Sequence, residues 1–323
     1  MTSNVHRQFQ TAAFGAAGCA ALVAAGYLVT DSWLLFLTGI LIWVALAWTW
    51  SIMAVAGYIS LAPAAWYGLG AYSTAVMMNH FGTGFYPALA VSAVWVALFS
   101  VCVAIPLFRL RSHYFIMGTL IITEVIYLIM NQVRLFGIEG ASLVHFPKVA
   151  TADPTEFNRY FYLLAVTFVA GVWLTITVIR HSRIGLALRT IGQNESTAES
   201  LGVATARYKL LAFGISSAIF AVAGGLTGYW VGFVQQATVF SLIITVKMIV
   251  IAVLGGINTL AGAFFSALLI QYLEQVLGPS LAQLNQIIYG IIVMLVIVLL
   301  PTGLGPSAIA FCRRLLGRKA ERR

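Results

Sequence analysis

Charged residues are scarce in this sequence. Asp, Glu, Lys and Arg make up only 8% of its 323 residues, and nine residues are acidic, whereas soluble domains carry about 25% charged residues. Hydrophobic residues make up 61% of the chain, and the mean hydropathy is +0.96. This composition excludes an ordinary soluble domain. It predicts an all-α protein that crosses the membrane many times.

Sequence motifs of the common enzyme classes are also missing. Cys19, Cys102 and Cys312 lie far apart without a CxxC pair, which indicates neither a disulfide framework nor a metal site. None of the four lysines follows a glycine, so the sequence lacks the GK of a P-loop, and it also lacks HExxH. Residues 140–143 match the GxSx of rhomboid proteases, but no histidine is placed to complete a dyad. We therefore predict no catalytic residue, no metal site and no cofactor bound by this chain.

Ten hydrophobic segments are long enough to predict about ten spanning helices, and a count of eight or nine is also compatible with them. The segments lie near residues 9–29, 33–56, 57–78, 85–108, 114–131, 160–179, 210–232, 239–256, 257–276 and 285–305. The first could instead be a cleaved signal sequence, because Arg7 precedes it. We treat residues 1–323 as a single transmembrane domain.

The basic residues predict the orientation. With a cytoplasmic N-terminus and ten spans, fourteen of the 18 Lys and Arg residues lie inside, three lie outside and Lys247 lies within a span. This distribution follows the positive-inside rule and predicts that both termini are cytoplasmic. The net charge of +9 is thereby explained by topology. It does not indicate a nucleic-acid partner.

Three hydrophilic stretches connect or follow these segments: an external loop at 132–159, a cytoplasmic loop at 180–209 and a basic cytoplasmic tail at 306–323. The loop at 180–209 contains helix-forming residues interrupted by Gly185, Gly192 and Gly202, which predicts short helices with glycine hinges. It either docks onto a soluble partner or is a solvated linker.

Two apolar stretches have the composition of broken helices. Pro63 interrupts the segment from Gly57 to Ser73, and glycines interrupt the segment from Leu254 to Gly262. Such breaks expose backbone groups to substrate in transporters, but small residues also allow close helix packing. The candidates for a translocation path are Gly57, Ser60, Pro63, Gly68, Gly70, Tyr72, Gly255, Gly256 and Asn258.

Glu124 and Lys247 are the ionisable residues placed deepest in the predicted spans. A lone charge there is costly, so each needs a partner or an aqueous cavity. They either pair with each other or line the substrate path, and we include both among the path candidates. Gly224, Gly228 and Gly232 recur at a spacing of four, which predicts a close helix contact.

Several motifs resemble those of one family, the permease subunits of branched-chain amino acid ABC importers, specifically the M-type subunit of the Liv system. Residues 57–72 are similar to the family's GxxSLGxAAFxGIGAY, and residues 109–124 are similar to its RLRGxYFAxxTLAxAE. Residues 183–202 and 209–213 are similar to its RxGRAxxAIRExExAAExxGI and KLxAFxxSA. Residues 254–256 fit the start of VxGGxGT.

The resemblance implies a type II ABC importer permease in the bacterial inner membrane, working by alternating access. It implies four kinds of partner: a second permease, either H-type or a homodimer mate, two ATP-binding subunits that hydrolyse ATP, a periplasmic or extracellular substrate-binding protein, and the lipid bilayer. It also makes 180–209 the element that couples the chain to the ATPase. The residues implied in that coupling are Arg183, Gly185, Arg189, Glu195, Ala198, Glu199 and Gly202.

The sequence departs from the family pattern where the substrate is concerned. Many members carry TGGSNGL after the fifth span, but this chain reads FGIEGASL at 136–143, and Lys247 replaces a usually apolar residue. Branched-chain amino acids are therefore the default substrate, with other amino acids, amides or urea as alternatives. An ion-coupled secondary transporter or channel without an ATPase, using Glu124 and Lys247, is the rival interpretation.

Overall fold

The structure is a computed structural model that describes residues 29–110, 112–132, 134–135, 138–139, 143–147, 153–257 and 259–277, together with residues 18, 22–24 and 26–27. The predicted span at 285–305, the basic tail and most of the segment at 9–29 lie outside the described residues.

The described chain is a helical bundle with two small strand pairs. Its helices are α1 (Asp31–Ala54), α2 (Pro63–His80), α3 (Phe85–Leu107), α4 (Ser112–Gln132), α5 (Pro154–His181), α6 (Arg183–Gln193), α7 (Glu195–Ser200), α8 (Thr205–Val231), α9 (Gln236–Val239), α10 (Leu242–Gly255) and α11 (Leu260–Leu277). Its strands are β1 (Arg134–Leu135), β2 (Ile138–Glu139), β3 (Val144–His145) and β4 (Phe233–Val234). Strands β1 and β2 pair antiparallel, as do β3 and β4.

The prediction of a polytopic helical membrane protein is confirmed. Six segments within the described ranges are long and apolar enough to cross a membrane: α1, α3, α4, α5, α8 and Gln236–Gly255. Helices α2 and α11 correspond to the predicted segments 57–78 and 257–276. Eight of the ten predicted segments therefore coincide with described helices.

Helix α2 lies at the centre of the bundle. It begins at Pro63, whose fixed φ and missing N–H suit the first turn of a helix. It packs against α8 and α3, and most of its side chains are buried. A Cβ added to Gly70 would lie 2.3 Å from the Ala221 backbone, and one added to Gly224 would lie 1.9 Å from the Tyr67 carbonyl oxygen. Glycine at 70 and 224 therefore permits the close approach of α2 and α8.

The close helix contact predicted for the glycines of α8 is confirmed at Gly224, whereas Gly228 packs against residues outside the helices. Gly224 faces α2, and Gly228 faces Phe146 and Val234. Gly232 has a different role, because it ends α8 in a left-handed conformation with φ of +86°. The spacing of four thus combines two packing positions with one helix terminus.

The connecting segments gather at two ends of the bundle. One end joins β3 to β4, and Asn79 donates to the His145 carbonyl there. At the opposite end Tyr58, which follows α1, contacts Glu195 at the start of α7. Helices extend into both hydrophilic stretches: α5 begins at Pro154 and α8 at Thr205.

Candidate functional site

The chain between α1 and α2 is not helical. Gly57 turns it with φ of +79°, a conformation that favours glycine, and irregular backbone follows to Pro63. Side chains of neighbouring helices bond the backbone groups of this break. Trp50 donates to the Ser60 carbonyl at 3.1 Å, Thr123 donates to the Leu61 carbonyl at 3.1 Å, and the amides of Leu61 and Ala64 donate to Thr119 and Thr245. The predicted break is thus present just before Pro63, and backbone groups of Ser60 and Leu61 are satisfied inside protein.

Helix α6 follows α5 after a tight corner. Ser182 caps α6 by accepting from the Ile184 amide at 3.2 Å. A Cβ on Gly185 would lie 2.3 Å from the Ile179 carbonyl oxygen, and one on Gly192 would lie 2.2 Å from the Val55 carbonyl oxygen. The prediction that Gly185 and Gly192 act as hinges is therefore wrong. Both lie inside α6, where the absence of a side chain lets it pack against α5 and against the residues that follow α1.

Helix α7 is short and is capped at both ends. Asn194 accepts from the Thr197 amide at 3.2 Å at its start. At its end Gly202 adopts φ of +81°, and the amide of Val203 donates to the Ala198 carbonyl at 3.0 Å. This pattern is the Schellman motif, in which glycine ends a helix without strain. Gly202 is thus a hinge of the predicted kind between α7 and α8, and Ala198, a residue of α7, is fully buried.

Three polar side chains connect α7 to the rest of the bundle. Lys209 of α8 forms an ion pair with Glu195, and Tyr58 donates to the other carboxylate oxygen of Glu195 at 2.5 Å. Lys209 also donates to the Tyr58 hydroxyl at 3.1 Å, which closes a ring of three hydrogen bonds. The ammonium lies 5.3 Å from the centre of the Phe108 ring. We call Tyr58, Glu195 and Lys209 the polar triad.

The electrostatics of the polar triad favour the ionised carboxylate. Burial by itself would raise the pKa of Glu195, but the hydrogen bonds from Lys209 and Tyr58 outweigh it and hold that pKa below its usual value of 4.5. Lys209 is almost fully buried, whereas the Glu195 side chain is 34% exposed. Ion pairing in this position fixes the start of α7 against both α8 and the break at Gly57 to Ala62.

The outer surface of α6 and α7 is open. Leu186 and Leu201 are 69% and 73% exposed, more than any other large hydrophobic side chain in the described part of the chain. Three of the predicted coupling residues, Arg183, Arg189 and Glu199, are exposed beside them. With its exposed leucines and charged residues, this side of α6 and α7 is a candidate surface for a protein partner. We call the exposed side of α6 and α7 the docking face.

The predicted path residues of α2 lie in the packed interior of the chain. A Cβ on Gly68 would lie 2.4 Å from the Phe240 ring, and Tyr72 stacks on that same ring at a centroid distance of 6.0 Å. The Tyr72 side chain is 1% exposed. Gly68, Gly70 and Tyr72 thus face neighbouring side chains and backbone in this structure.

Glu124 and Lys247 do not pair with each other. Lys247 forms an ion pair with Glu274 of α11, donates to Gln271 at 3.2 Å and lies 4.1 Å from the centre of the Trp43 ring. Glu124 is exposed on α4. The suggested pair is wrong because α11 supplies a nearer carboxylate, on the helix that follows α10 in the chain.

The second predicted break lies between α10 and α11. Gly256 has φ of +86° and ends α10, and a Cβ on Gly255 would lie 2.4 Å from the Ala263 amide nitrogen. Glycine is thus required here for a tight turn between the two helices. Asn258, the third candidate of this stretch, lies outside the described residues.

Sequence reasoning assigned no role to Tyr58, Lys209 or Glu274. Tyr58 and Lys209 fall within the family-like motifs, but their contact joins positions 151 residues apart. Glu274 could have been found from the sequence. It lies three residues after Gln271, a spacing that places both side chains on one face of a helix. Among the described residues, no group of three or more His, Cys, Asp or Glu side chains is arranged to hold a metal ion.

Comparison with known proteins gives one family and several relatives. The profile of the family described as branched-chain amino acid transport system / permease component matches residues 32–299. The high-affinity branched-chain amino acid transport system permease protein LivM of Escherichia coli is 25% identical over 279 residues, which cover 79% of this chain and 65% of LivM. LivH of the same organism is 34% identical over 43% of this chain and 44% of its own length.

A third relative has another transport role. The autoinducer 2 import system permease protein LsrC of Klebsiella pneumoniae is 32% identical over 43% of this chain and 41% of its own length. The chain thus spans 65% of the length of the LivM proteins it matches and less of the others. No solved structure matches the chain significantly.

Proposed function

Because this chain belongs to the branched-chain amino acid transport system permease family, a family of transport permeases, we propose that it is the membrane-spanning permease subunit of an ABC importer. It is a multi-pass membrane protein. In this role it binds no cofactor and catalyses no reaction itself, and partner subunits hydrolyse ATP. The import of branched-chain amino acids, or of related small polar solutes, is the activity of the whole assembly.

The observation that carries this proposal is the arrangement of α6 and α7. Their outer side is the docking face, with Leu186 and Leu201 exposed, and their inner side is fixed to the bundle through the polar triad. A partner bound to the docking face would therefore displace α7 and α8 together. Through Tyr58 it would also displace the break that precedes α2. This is the mechanical link that ATP-driven alternating access requires.

The partners proposed for the importer are a second permease subunit, either H-type or a second copy, two ATP-binding subunits and a substrate-binding protein outside the membrane. The inner membrane is the proposed location, with both termini in the cytoplasm. That orientation puts the docking face on the cytoplasmic side with the ATPases, as the sorting of basic residues predicts.

Branched-chain amino acids are the proposed substrates because the LivM and LivH relatives are named for their transport. The LsrC relative is named for autoinducer 2, so similarity of this degree also extends to a different solute. Binding measurements on the substrate-binding protein of the same system, with leucine, isoleucine, valine and urea, would identify the solute.

The proposal is tested by purifying the tagged chain after expression with its candidate ATPase, permease and binding-protein partners. We expect two ATP-binding chains to co-purify and ATP to drive uptake of L-leucine into proteoliposomes. Leu201→Glu places a charge on the docking face and should abolish co-purification. The control Tyr86→Glu changes an exposed side chain at the start of α3, at the other end of the bundle, and it should leave ATPase binding intact. Uptake by the purified chain alone under an ion gradient would support the rival secondary transporter and exclude this proposal.

A further inference from the structure

Helix α4 is the least buried of the six candidate spans in the described chain. Its exposed side chains recur at spacings of three and four, which puts them on one face of the helix. This face consists of Tyr114, Met117, Ile121, Glu124 and Leu128. Among these large side chains, Glu124 carries the one carboxylate.

Glu124 lies near the middle of the span. It is the thirteenth of the 21 residues of α4, so it lies about 18 Å along the axis from Ser112 and about 12 Å from Gln132 at about 1.5 Å per residue. No hydrogen bond or ion pair joins its carboxylate to any residue in the described ranges. A charged side chain at this depth normally faces a bundle interior or a water-filled cavity, because hydrocarbon cannot solvate it.

Two buried lysines of this chain have carboxylate partners. Lys247 is buried and paired with Glu274, and Lys209 is buried and paired with Glu195. The exposed face of α3, with Val94, Leu98 and Ile105, carries no charge, as a lipid-facing surface requires. Glu124 follows neither pattern.

The neighbourhood of Glu124 connects it to the broken helix. The preceding residue, Thr123, donates to the Leu61 carbonyl, and Thr119, one turn earlier, accepts from the Leu61 amide. The same part of α4 thus supports the break with one face and presents the carboxylate on another. Movement of the break during transport would be transmitted to the position of Glu124.

We propose that Glu124 borders the aqueous translocation path, between this chain and the second permease subunit, and that its carboxylate binds the ammonium group of the transported amino acid. This inference rests on the proposed function. In this arrangement the second permease covers the apolar side chains on the exposed face of α4. The ammonium group of the substrate binds the carboxylate of Glu124. The interaction is a charge-assisted hydrogen bond, which is stronger than a neutral one.

The first test measures whether the side chain at position 124 is accessible to water. In the assembled importer, with the native cysteines replaced by serine, Glu124→Cys is treated with a membrane-impermeant, positively charged thiosulfonate. Leu98→Cys, at the middle of α3 and 64% exposed, is the matched control. We expect the thiol at 124 to react about tenfold faster or more, because a thiol in hydrocarbon does not form the reactive thiolate. Equal slow reaction at both positions would overturn the inference.

The second test measures whether the charge matters to the substrate. Glu124→Gln keeps the shape of the side chain and removes its charge, and Glu124→Asp keeps the charge. In proteoliposomes with L-leucine as the probe, we expect Glu124→Gln to lower ATP-driven uptake about ten- to a hundredfold, the usual worth of a hydrogen bond to a charged group. Glu124→Asp should retain more of the uptake, and both variants should assemble with the ATPases normally.

The two hypotheses fail in different ways. If the wild-type importer takes up L-leucine with ATP and Glu124→Gln does so equally well, Glu124 does not bind the ammonium and the inference is overturned. If the wild-type chain binds no ATPase, the proposed function itself fails. A loss of uptake that is accompanied by loss of assembly in both Glu124→Gln and Glu124→Asp would assign Glu124 to subunit contact, which also overturns the inference.

Discussion

Lys209 and Glu195 form an ion pair that joins the first turn of α7 to the second turn of α8. Both residues also hydrogen-bond Tyr58, which lies at the far side of the same contact, just after α1. The pair is asymmetric in its exposure to water: 4% for the Lys209 side chain and 34% for that of Glu195. Because of this asymmetry, removing one partner should destabilise the chain more than removing the other.

Removal of Glu195 should destabilise the chain more than removal of Lys209. Glu195→Gln leaves a buried ammonium without its counter-charge, whereas Lys209→Met leaves a carboxylate that water can reach. Breaking a fully buried pair costs about 3–5 kcal/mol, and partial exposure should bring Glu195→Gln to about 2 kcal/mol. The apparent midpoint of thermal unfolding in detergent measures both effects. The double variant should recover part of the loss, and strict additivity of the two changes would contradict the pairing.

The stability contributed by Glu195 should disappear in acid. Its pKa is lower in the folded chain than the usual 4.5, so folding favours the ionised form. The contribution is complete above that usual value and is lost as pH falls through the folded pKa. The difference in unfolding midpoint between wild type and Glu195→Gln should therefore be constant from pH 7 to about 5.5 and shrink below about 4.5. A gap that widens on acidification would show that the carboxylate is protonated in the folded state.

The general architecture could be predicted from the sequence because membrane spans are determined by local composition. Apolar runs of sufficient length predicted α1, α3 and α4 to within a few residues. The break before Pro63 was predictable for the same reason, since proline acts through the backbone of its own segment. Helix ends were less predictable: α5 begins at Pro154 and α8 at Thr205, where polar residues continue a helix beyond its apolar part.

Long-range partners were not predictable from composition. The suggested pairing of Lys247 with Glu124 considered depth in the membrane alone, and depth does not say which helices are neighbours. In the structure α11 packs against α10, and Glu274 therefore forms an ion pair with Lys247. The polar triad was missed for a similar reason, because nothing in the segment around Tyr58 indicates that Glu195 and Lys209 lie next to it in the fold.

The partner of Lys247 can be verified by comparing two double-mutant cycles. Lys247→Met and Glu274→Gln remove the two sides of one ion pair, so their effects on the unfolding midpoint should be coupled by about 0.5–3 kcal/mol. Lys247→Met and Glu124→Gln change groups that do not contact each other, so their effects should add within about 0.5 kcal/mol. The opposite result, coupling to Glu124 and additivity with Glu274, would contradict the arrangement of α10 and α11 described here.

The crossing of α2 and α8 depends on the absence of a side chain at Gly224. Alanine there would place its Cβ 1.9 Å from the Tyr67 carbonyl oxygen, so the helices must separate. We expect Gly224→Ala to destabilise the chain by about 1–3 kcal/mol, the usual cost of overpacking. Gly171→Ala is the matched control, because it lies within α5 with nothing within 4 Å of the added Cβ. It should be neutral or stabilise by up to about 1 kcal/mol through helix propensity.

Gly202 offers a second test of the docking face. A side chain at 202 meets nothing within 4 Å, so the cost of substitution comes from the left-handed backbone alone, with φ of +81°. Asparagine adopts this conformation more readily than alanine, whose penalty is about 1–2 kcal/mol. Gly202→Ala should therefore loosen the end of α7 and weaken both ATPase co-purification and ATP-driven uptake, whereas Gly202→Asn should be milder.

Gly202→Arg tests whether a partner covers this position: it should abolish ATPase binding even though Gly202→Asn preserves it. If Gly202→Arg, or deletion of residues 193–201, leaves ATPase binding and uptake intact, α7 does not transmit the ATPase motion.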